Sequence, residues 1–147
     1  MNRKQIIQSA LDWVDTPYHH HGMVKHVGVD CAMLVAAVAL EHDALTKARL
    51  ATAINYPTQW HLHNREERLL EQIEAFGAVR VDRDSMLPGD IVTFKYGRTT
   101  SHLGIMVTPT EFVHARVDMG KVVINSFNDE FVKRWTATYQ FPGITDE

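Results

Sequence analysis

Gly28-Val29-Asp30-Cys31-Ala32-Met33-Leu34-Val35-Ala36-Ala37-Val38-Ala39-Leu40-Glu41 is the stretch on which the fold turns. From Cys31 to Leu40 every side chain is apolar or small, a pattern that suits a central helix buried on most sides rather than a surface helix with one apolar stripe. Asp30 is placed to cap it, since a short carboxylate just before a helix accepts from its unpaired N–H groups. The run is about half as long as a helix that crosses a bilayer. Cys31 then opens the helix, where those N–H groups and the helix dipole favour a thiolate. The same groups could hold the oxyanion of an acyl-transfer intermediate. A lone cysteine among apolar neighbours is also what a small buried hydrophobe looks like. The polar, glycine-containing approach from Gly28 to Asp30 favours an accessible position.

Outward from this helix, Ile6, Ile7, Ala10, Leu11 and Val14 recur at helical spacing, predicting a first amphipathic helix from Arg3 to Val14 that stops at Thr16-Pro17. Residues 18–30 read as a polar loop. Downstream, a short helical signal covers Leu45 to Ala53. Asn64-Arg65-Glu66-Glu67 has the form of a capping box, and Leu69, Leu70, Ile73 and Phe76 continue it as an apolar stripe to Gly77. The period then changes. Val79–Val81, Ile91–Phe94, His102–Val107, Phe112–Arg116 and Lys121–Asn125 are short segments separated by Pro88-Gly89-Asp90, Pro109 and Asp118-Met119-Gly120, and read as antiparallel strands. Helices followed by strands predict an α+β fold, with the helices packed on a twisted antiparallel sheet. The 147 residues suffice for one core, so residues 1–147 are expected to form a single domain.

The formal net charge is -3 with no basic stripe, which argues against nucleic acid as a partner. One cysteine excludes an internal disulfide and any zinc site built from several thiolates. His19-His20-His21 are consecutive in a loop and do not converge on one ion, so no metal and no cofactor are expected. The start of the chain has no apolar run of signal-peptide length, so export through the general secretory route by its own leader is not expected.

A thiol nucleophile needs a base. Among nine histidines, His102 begins a predicted strand and His114 lies in the next. A hairpin centred on Thr108 would set the two imidazoles directly opposite each other, on the face that meets the start of the Cys31 helix. One ring could then orient the other, as in a Cys-His triad.

Trp13-Val14-Asp15-Thr16-Pro17-Tyr18, Gly28-Val29-Asp30-Cys31, Pro88-Gly89-Asp90-Ile91-Val92-Thr93-Phe94, Ser101-His102-Leu103-Gly104-Ile105 and Phe112-Val113-His114-Ala115 resemble, in order, the motifs of NlpC/P60 cysteine peptidases. The resemblance implies a papain-like α+β fold, with Cys31 as nucleophile, His102 as general base and His114 as the orienting third residue. It implies that the Tyr18 hydroxyl assists the oxyanion and that Asp30 and Ser101 contribute to substrate binding. The implied partner is the peptidoglycan stem peptide, often cut between D-γ-glutamate and a diamino acid. Where Ser-Gly usually follows the nucleophile, Ala32-Met33 stands here, which puts the bond cleaved in question. Tyr56-Pro57, Trp60-His61-Leu62-His63 and Glu66-Glu67-Arg68 resemble the phage-tail and gene-transfer-agent branch, which implies phage-tail-like structural proteins as partners and delivery by a particle. Two alternatives remain: a cytoplasmic amidase or acyltransferase of the same fold, and a non-catalytic tail or adaptor module that only binds.

Overall fold

The computed structural model describes residues 1–45 and 68–145. The short helical signal of Leu45 to Ala53, apart from its first residue, the Asn64–Glu67 capping box, and His61 and His63 lie outside the described residues. The elements run α1 (Arg3–Asp12), β1 (Met23–Val24), β2 (Gly28–Val29), α2 (Cys31–Glu41), α3 (Arg68–Ala75), β3 (Val79–Val81), a 3-10 turn at Arg83–Ser85, β4 (Ile91–Tyr96), β5 (Thr99–Thr108), β6 (Glu111–Arg116), β7 (Lys121–Ser126), α4 (Asp129–Arg134) and β8 (Trp135–Gln140).

Each long helix starts where a side chain can satisfy its free amides. Asn2 and Gln5 close a reciprocal capping box on α1, and Asp30 accepts from the Met33 N–H to cap α2. The α2 run from Ala32 to Ala39 is buried throughout, as its uniform apolarity requires. Leu69, Leu70, Ile73 and Phe76, the predicted stripe, are buried at and just beyond α3.

Six strands form one antiparallel sheet in the order β3-β8-β4-β5-β6-β7. Alternation divides the sheet between two cores. Leu103, Ile105, Val113, Ala115 and Val122 join α1, α2 and α3 in the larger one. Val92, Phe94, Met106 and Phe112 turn to the other side, where Phe131 of α4 covers them. Two elements differ from the sequence reading by being added: α4 and the interior strand β8, between β3 and β4. Trp135-Thr136-Ala137-Thr138-Tyr139-Gln140 does alternate, with Ala137 and Tyr139 in the larger core. The predicted polar loop also holds the short ribbon β1–β2.

Arg3 ties the helical layer to the sheet through a 2.7 Å ion pair with Asp90. Asp90 is 1% exposed and also accepts from the Leu87 N–H at 2.9 Å, so this charge is buried but paired. The Pro88-Gly89-Asp90 turn is thereby fixed at the entrance to β4.

Candidate active site

Cys31 is half-buried at the first position of α2. Its sulfur faces backbone N–H groups of Leu103, Ala32 and Cys31 itself. The helix start and the peptide joining His102 to Leu103 thus meet at the thiol. Burial pushes the Cys31 thiol up to about 12, and the Asp30 carboxylate adds to the rise against those N–H groups. The helix start was expected to lower the thiol's pKa. Desolvation and the capping carboxylate outweigh it here.

Asp30 is 3% exposed and its two oxygens are engaged by the Met33 N–H at 2.8 Å and the His21 N–H at 2.7 Å. The carboxylate therefore caps α2 and anchors the His19–His21 loop. Tyr18 is held on both sides: its N–H donates to the Gly120 carbonyl at 2.8 Å, and it bridges to Val29. Burial raises its pKa, and the neighbouring Cys31 and Asp30 raise it further, so the hydroxyl remains a hydrogen-bond donor beside the sulfur.

His102 is the fourth residue of β5 rather than its first, because β4 and β5 continue as a ribbon to Tyr96 and Thr99. The ladder pairs Phe94 with His102 and Lys95 with Thr100, leaving Ser101 as the extra residue of a bulge. The bulge turns the strand just where it meets Cys31. His102 and His114 leave the sheet on the side of Phe94, Phe112 and Phe131. Leu103 and Val113 face α2 instead. The structure thus corrects the expectation that both rings lie on the helix-facing side: the thiol meets the sheet through the His102–Leu103 peptide.

The register differs as well. Ile105 pairs with Val113 and Met106 with Phe112, and the turn closes at Thr108 and Glu111. The hairpin therefore centres beyond Thr108, and His114 stands diagonal to His102. A shift of two residues preserves the shared face. The rings meet with His102 Nε2 2.7 Å from His114 Nδ1. His114 Nε2 lies 2.7 Å from Asn125 Oδ1, which also accepts from Arg116 Nη1 at 3.1 Å. Arg116 in turn holds Asp118, Nε donating to Oδ1 at 2.9 Å and Nη2 to Oδ2.

Burial, followed by His114 and Arg116, holds His102 down to about 3. Burial holds His114 down to about 4, against the pull of the Asn125 oxygen. Both rings are therefore neutral near pH 7. A neutral imidazole can act as a general base towards a protonated thiol that reaches its free nitrogen. The rings, Ser101, Arg116, Asn125 and Glu130 line one cavity of about 660 Å³. His19, His20 and His21 are exposed in their loop, and no three His, Cys, Asp or Glu side chains among the described residues are grouped to hold a metal ion. No helix among the described residues is long and apolar enough to cross a membrane.

Asn125 and Arg116 were not among the residues singled out from the sequence. The signal was alternation: Arg116 follows His114 by two, and the β6–β7 ladder sets Asn125 opposite Phe112 on the same face.

Residues 15–140 match the family model described as NlpC/P60 family. The chain is 28% identical over 132 residues to the murein DD-endopeptidase MepS/murein LD-carboxypeptidase of Escherichia coli strain K12, covering 90% of this chain and 58% of that protein. It is 30% identical over 110 residues to the probable endopeptidase NlpC of the same organism, covering 74% of this chain and 58% of that one. The chain thus spans under two thirds of the length of these curated relatives. Among solved structures, the NlpC/p60 domain of peptidoglycan hydrolase SagA superposes with a TM-score of 0.63 at 16% identity, over 95% of this chain and 99% of that one.

Proposed function

The chain belongs to the NlpC/P60 family, and from that membership we propose that it is a cysteine peptidase acting on peptide bonds of the bacterial cell wall. The observation that carries the reading is the junction at Cys31. A thiol at a helix start lies near the N–H of Leu103, the residue after His102, whose Nε2 is 2.7 Å from His114 Nδ1.

In this mechanism Sγ adds to the scissile carbonyl carbon while its proton passes to His102 Nδ1. The N–H groups at the start of α2 and the Tyr18 hydroxyl receive the oxyanion. Collapse breaks the C–N bond, and the leaving amine takes the proton from His102. Water then hydrolyses the thioester by the reverse use of the same base. Ser101, on the cavity wall beside His102, is assigned to holding the substrate. Asp30, expected from the motif resemblance to share that role, is buried with both oxygens engaged and instead holds the start of α2 and the His19–His21 loop.

For the bond, we propose the link between D-γ-glutamate and a diamino acid, on the strength of the motif resemblance. The relative named a DD-endopeptidase favours a second reading, the bond between two D-residues of a cross-link. Digestion of defined peptidoglycan fragments with mass analysis of the products tests activity and bond choice together. Intact fragments under conditions in which the protein is folded would remove the peptidase reading.

Delivery by a phage-tail-like particle, with tail structural proteins as partners, rests on the Tyr56–Arg68 resemblance. Mass spectrometry of particles purified from the producing cell tests it. Their consistent lack of this chain would count against that route.

A further inference from the structure

A histidine can serve as base at Nδ1 only while that nitrogen lacks a proton, so the ring's tautomer is a functional variable. Two neutral imidazoles joined Nε2 to Nδ1 share one proton on that contact, and either ring could own it. Whichever group contacts the far nitrogen of His114 decides. Here that group is Asn125, and an amide can present either an oxygen or an NH2. Arg116 removes the choice, because a guanidinium only donates and its Nη1 lies 3.1 Å from the Asn125 atom that faces His114.

We propose that Arg116 and Asn125 are positioning residues that set the tautomers of His114 and His102. With the Asn125 oxygen held inward, His114 must donate from Nε2 at 2.7 Å, which leaves its Nδ1 as an acceptor. His102 must then donate from Nε2 to that Nδ1, and its own Nδ1 carries only a lone pair. Reversing the amide would reverse every bond in the chain and put a proton on His102 Nδ1, where no thiol proton could be received. Asp118 completes the arrangement, since its carboxylate grips Nε and Nη2 of Arg116 and leaves Nη1 directed at Asn125.

This inference rests on His102 being the base, and its test is chosen to separate the two ideas. Imidazole 15N shifts report tautomers directly, whether or not the protein cleaves anything. In the wild type at pH 7, both rings should carry their proton on Nε2. Arg116→Met keeps the apolar stem without a donor, and should bring in the Nδ1–H form of His102. Asn125→Leu should do the same, with kcat lowered by about tenfold or more and KM nearly unchanged. Asn125→Asp retains an acceptor in the same place and should restore the tautomers and most of kcat. A wild type with its His102 proton on Nδ1 would overturn the proposal, as would tautomers that stay the same in both Arg116→Met and Asn125→Leu. The expected tautomers in a protein that hydrolyses no wall peptide would uphold the relay and remove the peptidase reading instead.

Discussion

Gly104 lies against His114 across the β5–β6 ladder: a Cβ on Gly104 would stand 3.0 Å from the Cβ of His114. The same added atom would come within 2.8 Å of the Phe112 ring and of the Val113 carbonyl. Only a residue without a side chain lets β6 approach closely enough for His114 to meet His102 on the diagonal.

Gly104→Ala should therefore separate the two strands locally. Overpacking of this kind costs roughly 1–3 kcal/mol, and hydrolysis should fall more than stability because the ring contact is disturbed. Urea unfolding together with a hydrolysis assay would measure both. Wild-type stability and rate in this variant would show that the close approach is unimportant.

Cys31→Ala should abolish hydrolysis with little loss of stability, because it removes one sulfur at a half-buried helix start. His102→Ala should come close to it, since a protonated thiol without a base rarely attacks. His114→Ala should retain the most activity of the three. Steady-state rates on a wall-peptide substrate give the order, and a folded Cys31→Ala protein that cleaves at the wild-type rate would sink the mechanism.

Most of this arrangement could be read from particular residues. Asp30 before an unbroken apolar run signalled a capped, buried helix with Cys31 at its start. The separation of His102 and His114 is an even number of positions, so they share a face in any hairpin that keeps that parity. The register was beyond reach because it depends on the turn between Thr108 and Glu111 and on the bulge at Ser101. The side of the sheet was misjudged because both sides carry a core, one of them built from Phe94, Phe112 and Phe131. The thiol's raised pKa was hidden for a different reason: desolvation belongs to tertiary packing, while the helix start that favours a thiolate is local.

Acid should weaken the fold through the histidine pair. His114 and His102 are held down to about 4 and about 3, below the 6.5 of the free side chain. Above pH 6.5 both are neutral folded or unfolded, so they have no effect on the balance. As pH falls below 6.5, the unfolded chain binds protons that the folded one refuses, and stability is lost down to about 4 for His114 and about 3 for His102. The drop in melting temperature between pH 7 and pH 5 should be larger in the wild type than in His114→Asn, since carboxylates titrate in both. Equal drops would show that His114 carries no such penalty.

Alkylation of Cys31 gives the last test, because the resting state of the thiol decides how the reaction begins. A thiol pushed up to about 12 is protonated throughout pH 6 to 9, and a neutral His102 provides no cation to stabilise the thiolate. Only the thiolate attacks iodoacetamide, so the rate should climb about tenfold per pH unit from 7 to 9 without levelling. His102→Ala should leave that slope unchanged, since the ring contributes no charge in the resting state. The single cysteine makes the modified site unambiguous by mass. A plateau reached below pH 7 would instead reveal a thiolate–imidazolium pair formed before substrate arrives. The proton would then already sit on His102 when the carbonyl is attacked, and base catalysis of the first step would have to be abandoned.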